Sequence, residues 1–471
     1  MKRRRFLQAG LASSVLAGTG GLSSRAYAGE ASNGKVGERG SAKNVIFLVA
    51  DGMSTGTLTM ADQYLRWHDD RPSNWIALLE EGVGKRGLVD TSSANSIVTD
   101  SAAGASSWGC GHRVLNGAVN IDPQGEARPP IHTKAREAGL ATALVTTTQL
   151  THATPAGFAA NVPSRGHQHQ IATQYFERKI DVLLGGGEEH FTAGDRPDDV
   201  DLFEKFASAG YAVARKRAEL DAIDASAKQV FGCFGRGHLP YELDRVNSDS
   251  LKADVPSLAE LTTKALEILT ARGDGFVMQV EGGRVDHAAH ANDIGGLIFD
   301  QIAFDEAVGA AVEYARNRDD TLVILTTDHG NANPGLNSGG NGGERPFETL
   351  TKFTGTHSPT LDGINGDSTV ADIRDRIEEV TKIRFTSSQA RTLKERLNDE
   401  WAAAYGRMNG TSAVLGQLIA NHTDIGWVGN YHTSDYVEAW TYGPCSERLK
   451  YMQDNTTLHD MMTHALDLQD A

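Results

Sequence analysis

Residues 44–53, Asn44-Val45-Ile46-Phe47-Leu48-Val49-Ala50-Asp51-Gly52-Met53, join a near-continuous apolar run to an acid and a glycine. An apolar run of this length, without polar alternation, suits a strand buried on both faces of a parallel sheet. The pattern recurs along the chain. Ala141 to Val145 leads into a Thr-rich end, and Ile180 to Leu184 ends in Gly185-Gly186-Gly187. Phe276 to Val280 ends in Glu281-Gly282-Gly283, and Leu322 to Leu325 in Thr326-Thr327-Asp328-His329-Gly330. Between these runs lie helical patterns, Leu258 to Ala271 after Pro256-Ser257, and Ile298 to Ala315. Strand and helix in alternation predict an α/β fold, a doubly wound, largely parallel sheet flanked by helices.

The flanks read differently. Lys2 to Arg5 form a positive start, Ala9 to Leu22 a mildly apolar run, and Ala26-Tyr27-Ala28 a small-x-small cleavage site. Arg3-Arg4-Arg5-Phe6-Leu7 resembles a twin-arginine export signal. Residues 1–28 are therefore expected to be a signal peptide, which implies a periplasmic or secreted protein. Residues 29–42 read as a flexible lead-in, and 43–471 as the functional domain. From Pro334 to about Asn430 the character changes. Gly335 to Gly343 is rich in Gly and Asn, and Ala371 to Met408 is charged and helical with a Thr386-x-x-Gln389 capping box. This stretch is expected to be a helical insertion, over the site or at an interface, before the sheet resumes near Val437 to Tyr442.

Composition narrows the partners. The formal charge is −16. Removing residues 1–28 takes away five cations and no acids, bringing it to −21. Such a surface argues against nucleic-acid backbone binding. An anionic substrate stays open, because bound divalent cations reverse the local field. No run of 18 apolar residues predicts a transmembrane span. Cys110, Cys233 and Cys445 have no metal-ligand spacing. They read as three buried residues, or as one disulfide and one free thiol.

Chemistry concentrates at the predicted strand ends. Asp51, Glu281 and Asp328-His329 each follow a strand, where open α/β sheets bind ligands. Asp286 and His290 share one face of a helical turn, and His432 lies in Tyr431-His432-Thr433. Mixed imidazole and carboxylate sets suit zinc, and all-oxygen sets suit magnesium. Ser101 precedes an Ala-rich helix former, which puts it at a helix N-terminus suited to an anion such as phosphate. No G-x-S-x-G elbow surrounds it.

These motifs, in this order, resemble alkaline phosphatases. The resemblance rests on Asp51-Gly52-Met53, Thr99 to Ala103, Thr151-His152-Ala153-Thr154-Pro155, Val280-Glu281-Gly282, Asp286 to His290, Thr327-Asp328-His329 and His432-Thr433. It covers roughly residues 43–335 and 430–445. It implies two zinc ions and one magnesium ion. Asp286, His290 and His432 would hold the first zinc, and Asp51, Asp328 and His329 the second, beside the nucleophile Ser101. Asp51 would also reach the magnesium site, with Thr154 and Glu281. Arg165 would grip two phosphate oxygens and Asp100 would hold Arg165. His152 and His287 stand where the best-known enteric form has Asp and Lys, as in the animal enzymes, so the third site could instead hold zinc. The implied activity is hydrolysis of small phosphomonoesters through a phosphoserine. The alternatives are a phosphodiesterase of the same superfamily and an exported metal- or phosphate-binding protein. A homodimer is left open.

Overall fold

The structure is a computed structural model that describes residues 38–337 and 345–468. The expected signal peptide, most of the lead-in and part of the 335–343 loop lie outside the described residues. Among the described residues the core is a ten-stranded sheet. From one edge its strands are Met452–Asp454, Lys85–Asp90, Val437–Tyr442, Thr321–Thr326, Asn44–Val49, Phe276–Glu281, Ala141–Gln149, Val182–Gly186, Val230–Cys233 and Ala212–Ala214. Val437–Tyr442 runs antiparallel to both neighbours, and every other pairing is parallel.

Asn44–Val49 lies at the centre, and its alternate side chains explain the uninterrupted apolar run. Ile46 and Leu48 join one hydrophobic cluster with Met278, Val280, Val323 and Leu325. Val45, Phe47 and Val49 join a second cluster with Val277, Leu322 and Ile324. Both faces are covered, so both parities must be apolar. The doubly wound sheet expected from sequence is the one observed. Four strands escaped that reading: Lys85–Asp90, Ala212–Ala214, Val230–Cys233 and Met452–Asp454. They are short or polar, so none carries an apolar run long enough to read as a strand.

The two long helices start where chemistry allows. Ser257 and Glu260 form a reciprocal capping box for Leu258–Arg272, a contact worth about 1 kcal/mol. Asp293 caps Ile294–Arg316 by accepting from the Gly296 N–H. The charged stretch read as one helical region from Ala371 to Met408 is two helices, Val370–Thr381 and Ser387–Leu397. Lys382 ends the first in the left-handed region, φ 57°, and the Thr386–Gln389 capping box restarts the second. Ile373, Ile377, Leu393, Val414 and Leu415 bury into the same cluster as Ile46. The 345–423 segment therefore shares the core of the sheet. Its Ser412 hydroxyl donates to the Ala291 carbonyl at 2.8 Å, fixing the end of helix Arg284–His290. All three cysteines are unpaired and buried.

Candidate active site

Ser101 opens the helix Ser101–Cys110, whose ten residues are all buried. Asp100 is its N-cap and accepts the Ala103 N–H at 3.0 Å. The same carboxylate accepts the Gly117 N–H and the guanidinium of Arg165, Nη1 to Oδ2 3.2 Å. One acid thus fixes both the helix start and the arginine beside it. The Ser101 hydroxyl lies 3.4 Å from Asp51 Oδ1 and 3.3 Å from His329 Nε2.

The described residues hold three groups of ligand-type atoms, one of them in contact with this hydroxyl through Asp51 and His329, and within each group the atoms lie within 4.8 Å of one another. Asp51, Asp328 and His329 form one group, Asp286, His290 and His432 another, and Asp51, His152 and Glu281 a third. Asp51 belongs to two of them. These are the residues selected from sequence, brought together by adjacent strands. Val49 pairs with Thr326 and with Glu281 across the sheet. The acids that follow therefore emerge side by side. Gly52 lets the chain turn between two groups: its φ is 70°, and a Cβ there would collide with the Asp286 carboxylate.

The imidazoles are oriented by their outer nitrogens. Nδ1 of His290 donates to the Asn430 carbonyl at 2.8 Å, and Nδ1 of His432 to the Thr99 carbonyl at 2.9 Å. Nδ1 of His329 faces the Gly330 carbonyl at 3.3 Å. Each Nε2 then carries a lone pair toward the carboxylates. The Nε2 atoms of His290 and His432 face each other at 3.0 Å, an arrangement of two acceptors that favours a shared cation.

Electrostatics point the same way. Asp51, Asp328, Glu281 and Asp286 are all buried, the first three with no exposed surface. Burial, then repulsion from Asp328, Asp286 and Glu281, pushes the Asp51 carboxyl well above its ordinary range. Burial also raises Asp286, but the imidazoles of His290, His329 and His432 outweigh it and hold that acid low. Asp328 follows the same pattern, with burial opposed by His329 and by the Gly52 N–H. Asp328 Oδ2, Glu281 Oε1 and His152 Nδ1 are buried without hydrogen-bond partners. Converging buried carboxylates with unused lone pairs are costly unless cations offset them. The donor sets therefore fit divalent metals.

The third group differs. Glu281 Oε2 accepts the hydroxyls of Thr146 and Thr148, which leaves Oε1 for the centre of the group. Thr154 donates to Asp51 Oδ2 at 3.3 Å. His152 Nε2 accepts from Arg165 Nη2 at 3.0 Å. A neutral imidazole that accepts there carries its proton on Nδ1, the atom 3.7 Å from Glu281 Oε1. His152 thus offers an N–H to the acids while Arg165 holds it. His287 is not among the ligand atoms. Its Nδ1 accepts from Arg284 at 2.9 Å, and its ring lies 5.4 Å from that of His152.

Sequence reasoning missed His238, whose ring stands 4.4 Å from His287 and 5.7 Å from His152. Its Nδ1 accepts the Gln149 N–H at 3.0 Å, and burial pushes its pKa down to about 3. The signal was available: it follows the strand Val230–Cys233, so the strand-end rule would have found it once that strand was placed. Thr146 and Thr148 were visible only as a Thr-rich strand end.

Comparison with known proteins bears on this geometry. The family model described as alkaline phosphatase matches residues 42–468. Alkaline phosphatase 3 of Bacillus subtilis is 31% identical over 444 residues, covering 92% of this chain and 90% of the relative. The Escherichia coli alkaline phosphatase is 32% identical over 333 residues, 61% of this chain and 70% of that protein. The crystal structure of the Thermus thermophilus alkaline phosphatase superposes with a TM-score of 0.85 at 30% identity, covering 95% of this chain and 96% of that one.

Proposed function

This chain belongs to the alkaline phosphatase family, and on that premise we propose that it hydrolyses small phosphomonoesters through a covalent phosphoserine at Ser101. The observation that carries the reading is the Ser101 hydroxyl itself. It sits at a buried helix N-terminus, within 3.4 Å of Asp51 and His329 and beside an arginine fixed by Asp100.

In this reading Asp286, His290 and His432 hold one zinc, and Asp51, Asp328 and His329 a second. Asp51, Thr154 and Glu281 hold the third ion, taken as magnesium, with His152 beside it. When bound, the ions supply positive charge to the phosphoryl oxygens and lower the pKa of oxygen nucleophiles near them. The oxygen-rich third set favours magnesium, because His152 presents an N–H while it receives Arg165. Zinc would require His152 to free a lone pair.

Ser101 Oγ loses its proton and attacks phosphorus in line with the ester oxygen. The P–O bond to the alcohol breaks, and the alcohol leaves with a proton. Arg165 clamps two phosphoryl oxygens through its forked N–H groups. The N–H groups at the start of helix Ser101–Cys110 add favourable dipoles. Water then attacks the phosphoserine from the vacated side, the Ser101 Oγ–P bond breaks, a proton from the water returns to Oγ, and inorganic phosphate departs. Because these contacts concern the phosphoryl group, turnover should span many alcohols.

Export is part of the proposal. It rests on the Arg3 to Leu7 run and the Ala26 to Ala28 cleavage site. No helix among the described residues is long and apolar enough to cross a membrane. Replacing Arg3 and Arg4 with Lys should leave the protein inside the cell.

Metal-loaded protein should turn over p-nitrophenyl phosphate much faster than its bis ester. It should also yield a phosphoserine peptide containing Ser101 after acid quench. Faster diester turnover would favour the phosphodiesterase alternative. Full metal content without hydrolysis of either ester would favour the binding-protein alternative.

A further inference from the structure

The metal-type groups and Arg165 account for the phosphoryl end of the ester and leave its alcohol end without a partner. The open side of the site lies at His290 and His432, whose side chains keep 35% and 17% of their surface exposed. Tyr431 stands there. Its ring is edge-on to His290 with centroids 6.4 Å apart, and the residue is 52% exposed. The guanidinium of Arg407, on the short turn Gly406–Met408, lies 5.0 Å from the centre of the Tyr431 ring. Among the described residues no carboxylate pairs with Arg407. Tyr405 is exposed on the neighbouring residue, its hydroxyl near Gly429. The turn is anchored rather than loose: Met408 is buried and its carbonyl accepts from Gln417 Nε2 at 2.9 Å.

A flat ring and a planar cation lying over it without a carboxylate partner, both exposed on the open side of the site, make a stacking wall. Stacking rewards planar partners and gives little to a short alkyl chain. We propose that Tyr431 and Arg407 form a leaving-group subsite that favours phosphomonoesters whose alcohol carries a flat ring, such as nucleosides and phenols. This rests on the phosphomonoesterase reading above.

The test compares kcat/KM for 5′-AMP and for glycerol 2-phosphate on metal-loaded full-length protein. The ratio of the two should fall about fivefold in Tyr431→Ala and about threefold in Arg407→Gln, and stay near wild type in Tyr431→Phe. The glycerol 2-phosphate rate should hardly move. A ratio unchanged in both Tyr431→Ala and Arg407→Gln overturns the subsite while leaving the phosphatase reading intact. Wild-type protein that hydrolyses neither ester removes both.

Discussion

The trio Asp51, Asp328 and His329 and the trio Asp286, His290 and His432 use the same donor chemistry in different settings. The first is sealed, with no side-chain surface exposed on Asp51, Asp328 or His329. It comes from the ends of two neighbouring strands, whose register sets the acids side by side. The second borrows a helical turn and a residue 142 positions away, and its imidazoles reach solvent. A sealed site suits a nucleophile that must lose its hydration. An open one suits an alcohol that must leave and a water that must enter. Under the proposed function, this difference in exposure would divide labour between two chemically similar groups.

The sharpest way to break this comparison is Ser101→Ala. If the sealed trio serves the nucleophile, phosphomonoester turnover should fall at least about a thousandfold, with metal content unchanged by elemental analysis. Retained turnover would sink the division. Next in size is the shared ligand. Asp51→Ala should lose two ions per chain after dialysis, and His290→Ala only one, because Asp51 alone serves two groups. Equal losses would mean that Asp51 does not serve two separate ions. Arg165 belongs to neither trio. Arg165→Ala should lower kcat/KM by about 10- to 100-fold with full metal content, and Arg165→Lys should restore only part of it, since a point charge lacks the fork.

The smallest effect lies away from both trios and gives their background. His132 is fully buried beside Phe158, and burial, with Arg136 adding, pushes its pKa from 6.5 down to about 3. A depressed histidine contributes stability that is complete above about pH 6.5 and is lost as pH falls toward 3. The slope from this one group is at most about 1.4 kcal/mol per pH unit. His132→Phe should therefore flatten the fall of the urea midpoint between those pH values. An unchanged slope would shift acid sensitivity onto the carboxylate-rich site.

Much of the site was legible because its acids and histidines stand at the C-terminal ends of apolar runs. A parallel sheet gathers such ends on one edge. Legibility failed where the strand itself was weak. Val230–Cys233 is four residues long, so His238 went unnoticed. Thr146 and Thr148 carry no signal of their own; their purpose appears only when Glu281 lies beside them. In the long charged stretch after residue 370 the Thr386-x-x-Gln389 capping box marked where the second helix begins but not where the first ends, because propensity does not register a left-handed Lys382.

By itself the sequence determined the doubly wound sheet, through local periodicity, and its short motifs, through the resemblance they carry, pointed to the nucleophile candidate and the candidate ligand residues. The grouping of those residues, with Asp51 in two groups, was implied by the resemblance; only the tertiary structure decided how closely each group converges, that one trio is sealed and the other open, and that Arg165 holds His152 by the nitrogen that fixes its tautomer. Those facts depend on strand register and on contacts between residues far apart in the chain, which periodicity along one segment cannot encode.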